Sequence, residues 1–166
     1  MTLHEGYDPE TLQHDIAIFT LKTPLKFEQQ IQKVPLACDT QCNQGFTQIS
    51  GWGLTSDKTR TVSPNLQQGN LTLSSIKECE DVYGSFEGFG VGCGTTSGTK
   101  MSTCSGDSGG PWCKHNAHGQ PVLVGLTSFG SSEGCEIKRP VACSCVGFYL
   151  PWIRKHANYS EACVNI

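Results

Sequence analysis

The 166-residue sequence has no apolar stretch approaching the ~20 residues needed to cross a bilayer as a helix, which excludes a helical membrane span. Charge is scarce, at 16% of residues against roughly 25% in an average soluble domain. The net charge of -3 comes with no basic run and no acidic tail, so nucleic acid is not a natural partner. Residues 1–10 lack the apolar centre of a secretory signal peptide. No internal repeat is visible.

What the chain has instead is 19 glycines, 8 prolines and 10 cysteines. Little charge and much glycine favour a β-rich, loop-rich domain over a helical bundle. Ten cysteines fit an oxidising compartment and disulfide pairing. The sequons Asn70-Leu71-Thr72 and Asn158-Tyr159-Ser160 agree with a secreted protein, weakly because such tripeptides arise by chance. A secreted interior without a secretory start leads to the expectation that the true N-terminus lies outside this sequence.

Short strand-like segments run along the chain. His14–Leu21 is an apolar run of strand length opened by Asp15, and Gln48–Thr55 ends at the glycine-flanked Trp52. Leu66–Leu73 and Pro121–Phe129 also have strand character, and Ser74–Val82 is polar and contains Cys79. Phe86–Lys100 reads as a glycine- and threonine-rich loop, and Tyr149–Asn158 has the spacing of a terminal amphipathic helix. Short strands with one terminal helix suit a Greek-key β-barrel.

The most informative stretch is Cys104–Trp112, C-S-G-D-S-G-G-P-W. Glycines around Ser108 allow tight turns and close approach of a substrate. The N–H groups of Gly106 and Ser108 can then converge on one point, as an oxyanion requires. A plain glycine-rich loop would explain S-G-G alone but not nine residues of this composition. The G-x-S-x-G nucleophile elbow also fits G-D-S-G-G, yet it needs a following helix and a later acid and histidine. Pro111 spoils that helix, and no aspartate follows Asp107.

The stretch resembles the nucleophile signature of the chymotrypsin-like (trypsin family) serine proteases. With it, D-I-A-I at Asp15 resembles the family's aspartate segment, and G-W-G at Trp52 its second-barrel entry. Alone, Asp15 would be a cap or turn residue. The resemblance implies an all-β, double Greek-key β-barrel with the first barrel incomplete, plus a C-terminal helix. Residues 1–33 would be the remainder of the first barrel and 34–46 the linker, crossing at Val34-Pro35-Leu36. Residues 47–148 would form the second barrel and 149–166 the C-terminal helix and tail. The Trp52 indole would pack at the second barrel's start.

The implied activity is serine endopeptidase action through an acyl-enzyme, with polypeptide substrates, protein inhibitors as partners, and no metal or organic cofactor. Ser108 would be the nucleophile, Gly106 and Ser108 the oxyanion hole, and Asp15 the carboxylate that orients the catalytic histidine. Asp107 would pair with a freshly cut N-terminal amine. The pocket would be formed by Ser102 at its base, by Ser128, Phe129 and Gly130 along its wall, and by Val141 at its floor. Ser102 carries no charge and Val141 narrows the floor, so medium apolar side chains such as Leu or Met are expected. Two disulfides carry over by position, Cys79–Cys93 and Cys104–Cys135. Cys38, Cys42, Cys113, Cys143, Cys145 and Cys163 have no implied pairing, six cysteines allowing 15 arrangements. Thr47 stands where many members have cysteine. Zinc at Cys143-x-Cys145 lacks a second ligand pair, so disulfides are the better reading.

The sequence departs from the family in two places. The T-A-A-H-C segment supplying the catalytic histidine is absent, and His4 and His14 are not followed by cysteine. His14, next to Asp15 on an expected strand, would face the opposite side. His115, His118 and His156 read as surface residues, and His115-x-x-His118 as a polar loop before a weak metal site. The I-V-G-G-type segment that supplies the amine for Asp107 is also absent. Removing one partner of a buried ion pair costs ~3–5 kcal/mol. The chain alone is therefore expected to be inactive and poorly folded around Ser108. The alternative is a non-catalytic protease homologue with a binding or regulatory role.

Overall fold

A computed structural model describes residues 1–86, 88–96, 98 and 101–166. The protein is mostly β. Two very short strands, β1 (Thr2–Leu3) and β2 (Ala17–Ile18), pair antiparallel near the start. Six longer strands follow: β3 (Phe46–Gly51), β4 (Gln67–Ser74), β5 (Val91–Thr95), β6 (Pro111–His115), β7 (Pro121–Phe129) and β8 (Val141–Cys145). They close into a barrel of order β3-β4-β5-β8-β7-β6, every adjacent pair antiparallel. Two three-strand meanders are thus joined edge to edge, β6 beside β3 and β8 beside β5. Closure leaves this sheet no free edge.

Side-chain alternation explains the register. Leu71 and Leu73 of β4 point inward. β8 is buried throughout because Val141, Cys143 and Cys145 join the barrel core and its other face is covered, Ala142 by Cys79 and Cys93 and Ser144 by Asp15. The barrel core gathers Ile49, Leu71, Trp112, Val122, Val124 and Cys143. Trp112 is fully buried, and its Nε1 donates to Thr127 Oγ1 at 3.0 Å, so its polar atom is satisfied. Gly94 makes the room: a Cβ there would lie 2.7 Å from the indole.

Helix α1 (Ile76–Tyr83) begins at Ser75, whose Oγ accepts from Lys77 N, and buries Cys79, disulfide-bonded to Cys93 of β5. Helix α2 (Leu150–Ala157) buries Leu150, Trp152 and Ile153 and ends at Asn158 in the left-handed conformation. The segment before the barrel runs parallel to β7, with Leu36 bridged to Leu123, and Cys38 is tied to Cys163 in the tail. Cys42 pairs with Cys145, Cys104 with Cys135, and Cys113 and Cys143 are free thiols. Burial pushes the Cys143 thiol up to about 12.

Several expectations change. The His14–Leu21 run is a strand only at Ala17–Ile18, since Phe19 and Leu21 have no strand to pair with and stand exposed. His14 has φ 52, a left-handed turn rather than a strand, so the opposite-face argument does not apply. The Phe86–Lys100 loop contains β5; Glu87, Ser97, Thr99 and Lys100 lie outside the described residues. Trp52 is 55% exposed instead of packed.

Candidate active site

Ser108 lies in an exposed turn between Cys104 and β6, which starts at Pro111. The amides around it are committed: Asp107 N donates to Cys104 O, Gly109 N to Thr127 O and Gly110 N to Asp107 O. Among the described residues, no protein acceptor takes the N–H of Gly106 or of Ser108. Gly106 has φ 99, a conformation closed to most side chains, and this turns its amide within the loop. Among the described residues, the serine's own amide and that of Gly106, two residues before it, are thus unengaged.

Beside Ser108 opens a cavity of about 620 Å³, mouth included. Ser102, Ser128, Phe129, Gly130 and Val141 all line it, five residues drawn from three separate segments. Val141 is 3% exposed, and its Cγ1 lies 3.3 Å from where a Cβ on Gly130 would sit, so the two define a narrow cross-section. The Cys104–Cys135 disulfide ties two of the walls together. Arg139 is the one ionised group among the lining residues and pairs with Glu133 at 2.8 Å.

Asp15 reaches the same wall from the start of the chain. Ser128 Oγ donates to Asp15 Oδ2 at 2.7 Å, and Ser144 Oγ donates to the Asp15 main-chain oxygen at 2.6 Å. Ile16 anchors the next position in a cluster with Val146, Tyr149, Trp152 and Ile153. The segment before Asp15 is pinned to α2: Trp152 Nε1 donates to Glu5 Oε2 at 2.7 Å, and the His4 ring lies 5.1 Å from the Trp152 ring. His4 also stacks on His14 at 4.5 Å, and Tyr149 Oη donates to Phe89 O at 2.6 Å. Burial first, and the Asp15 charge second, push the Tyr149 phenol up. Burial, followed by the neighbouring His14, holds His4 below its ordinary value.

Histidine is missing from the pocket. Among the described residues, none of the five bonds to Ser108 or to the Asp15 carboxylate. His4, His14 and His156 belong to the ring cluster on α2, while His115 and His118 lie at the β6–β7 turn.

Asp107 points away from the serine. Its Oδ1 accepts from Gly53 N at 2.8 Å and its Oδ2 from Cys104 N at 3.0 Å. Here the G-W-G motif gains its physical reason. A Cβ on Gly51 would come 2.0 Å from Asp107 Oδ1, and one on Gly53 would come 2.5 Å from Asp107 Cγ. Both glycines therefore make way for the carboxylate, and Trp52 between them turns outward. A second cavity, about 750 Å³ with its opening, adjoins Asp107 and is lined by Gly51, Gly53, Leu54, Gly69 and Met101. A third is lined by Leu12, Tyr83, Phe86 and Phe89, and shares Phe129 with the pocket beside Ser108.

Sequence reasoning missed Ser144, Arg139 and the ring cluster. Ser144 had a signal: a hydroxyl inside the otherwise apolar V-A-C-S-C run needs a buried acceptor. Arg139 had none, because only the fold brings its loop to the pocket.

Known proteins place the chain. Brachyurin of Leptuca pugilator is 34% identical over 153 residues, covering 92% of this chain and 65% of its own. A chymotrypsin of Phaedon cochleariae is 35% identical over 161 residues, covering 95% and 55%. Among solved structures, neuropsin, a serine protease expressed in the limbic system of mouse brain, superposes with a TM-score of 0.80 at 28% identity, covering 94% of this chain and 69% of its own. The chain thus spans less than two thirds of the length of the brachyurin and of the chymotrypsin. The family model described as Trypsin matches residues 1–153, and the chain belongs to the trypsin family of chymotrypsin-like serine proteases.

Proposed function

We propose that this chain is the nucleophile-bearing part of a secreted serine endopeptidase that cleaves after medium apolar residues. The observation that carries the proposal is Ser128, which lines the pocket holding Ser108 and donates to Asp15 Oδ2 at 2.7 Å. One residue thereby links nucleophile, pocket and orienting carboxylate. Residues 1–33 stand as the remainder of a first barrel, 34–46 as the linker, 47–148 as the second barrel, and 149–166 as the closing helix and tail.

In the proposed mechanism Ser108 Oγ attacks the substrate carbonyl, and the amides of Gly106 and Ser108 receive the oxyanion. Removing one such donor typically costs ~3–4 kcal/mol of transition-state stabilisation. The base is a histidine from a T-A-A-H-C-like segment that this sequence does not contain. Asp15 orients that histidine and stabilises its charged form. A cut N-terminal amine enters the cavity beside Asp107 and completes an ion pair there. On this reading the 166-residue chain alone does not turn over substrate. Exclusion of Lys and Arg from the pocket is supported by uncharged Ser102 at its base and by Arg139 on its wall. The Val141–Gly130 constriction favours Leu or Met over larger rings.

The test is hydrolysis of peptide thioesters with Leu, Met, Phe or Arg at the cleaved position, by the protein encoded in the full source transcript. Ser108→Ala should abolish cleavage, with Leu and Met preferred. A preference for Arg would sink the pocket reading. A transcript that opens at Met1, or that replaces the histidine, favours the non-catalytic homologue.

A further inference from the structure

We infer that Asn158 carries an N-linked glycan and that Asn70 does not. Both sit in sequons, but their main chains differ. Asn158 ends α2 with φ 51 and ψ 33, so the chain bends sharply at the acceptor residue. Asn158 and Ser160 are exposed, while Tyr159 between them is half-buried against the cluster of Ile16, Trp152 and Ile153. The amide and the hydroxyl of the sequon therefore both belong to the solvent side of a raised turn. Beyond it the chain is held down again, by the Glu161–Lys33 ion pair and the Cys163–Cys38 disulfide.

Asn70 is exposed as well, but it is opposite Gln48 in the β3–β4 ladder, next to fully buried Leu71. A transferase must draw the acceptor asparagine and its hydroxyl partner into one bent segment. At Asn158 the bend is already present. At Asn70 it would have to break a closed barrel. A glycan at a turn also costs no packing, since bulky glycans belong on surface loops.

The step needs a lipid-linked oligosaccharyl pyrophosphate as donor. A bond forms between Asn158 Nδ2 and the anomeric carbon of the first sugar. The bond from that carbon to the pyrophosphate oxygen breaks, the pyrophosphate leaves with the electron pair, and one amide proton passes to a base of the transferase. No oxidation or reduction occurs.

This inference rests on the secretory routing proposed above, so the experiment supplies that routing. The full chain is expressed behind a cleavable secretion signal in a eukaryotic host. Total cell and medium protein is then digested with peptide N-glycosidase in heavy-oxygen water and mapped by mass spectrometry. The expected result is labelled aspartate at position 158 and unlabelled asparagine at 70. Asn158→Gln and Ser160→Ala should each abolish the gel shift, and Asn70→Gln should leave it. Ser160→Ala keeps the left-handed asparagine, so loss of the shift in that variant does not reflect a broken helix end. No label at 158, or label at 70, overturns the inference. A glycan at 158 would leave it standing even where the full-transcript protein failed to cleave the thioesters and the protease reading fell.

Discussion

Replacing Gly51 by alanine probes how the half-buried carboxylate behind Ser108 is held. The new Cβ would lie 2.0 Å from Asp107 Oδ1, so the carboxylate must leave its 2.8 Å bond with Gly53 N. A hydrogen bond to a charged group is worth ~1.5–3 kcal/mol, and forcing one carbon into a filled site costs ~1–3 kcal/mol. Loss of chain entropy in the unfolded state returns ~0.4–1 kcal/mol. Gly51→Ala should therefore destabilise the oxidised chain by about 3 kcal/mol, read from urea unfolding as a fall in midpoint at unchanged slope. The cause is separable by a double-mutant cycle. In an Asp107→Ala background the nearest surviving atom is Asp107 Cβ at 3.5 Å, ordinary van der Waals contact. There the same substitution should cost less than about 1 kcal/mol, giving a coupling near 2 kcal/mol. Additive costs, within about 0.5 kcal/mol, would refute the idea that Gly51 exists to admit the carboxylate.

Three further perturbations follow from the packing. Thr127→Val removes the acceptor of the buried Trp112 indole and should cost ~1–3 kcal/mol in the same unfolding assay, a loss under about 0.5 kcal/mol contradicting the account. The Cys38–Cys163 bond encloses the Cys42–Cys145 bond, so the stretch it newly closes is the tail beyond Cys145 and the short piece before Cys42. Changing both Cys38 and Cys163 to serine should cost about 3 kcal/mol by loop entropy, and no loss of midpoint would count against it. His4, held below 6.5 by burial and then by His14, is favoured as the neutral ring in the folded state. Its contribution is complete above about pH 6.5 and is lost as the pH falls through its lower folded value. His4→Phe keeps a stacking ring without titrating, and should flatten the fall in Tm between about pH 7 and 5; an unchanged fall would assign the pH dependence elsewhere.

What was legible in the sequence was whatever depends on neighbours along the chain. Pro121–Phe129 and the terminal helix follow from local apolar spacing, and the serine loop from its own glycines. β5 was hidden because V-G-C-G-T has glycine where a strand pattern needs side chains. Those glycines are dictated by residues distant in sequence, Trp112 against Gly94, and Cys143 of the neighbouring β8 with Cys42 against Gly92. For the same reason G-W-G misleads about Trp52: the glycines answer to Asp107, more than fifty residues later. The strand expected at His14–Leu21 failed in the opposite way. Its apolar run was real, but strands need partners, and among the described residues only β1 pairs with it. At the site, Asp15 stood out in the sequence as the opening of an apolar run, but the bonds that hold it, from Ser128 and Ser144, exist only once β7 and β8 are side by side.

The most direct test of the central claim, one site built from Ser108, Asp15 and the Ser128–Val141 pocket, is covalent capture. The protein of the full transcript would be treated with diphenyl phosphonates bearing a Leu, Phe or Arg side chain, and the adduct mapped by mass spectrometry. The account predicts a single adduct on Ser108, formed fastest by the Leu reagent and slowed strongly by Asp15→Asn. An adduct on another residue, a faster Arg reagent, or labelling indifferent to Asp15→Asn would contradict it.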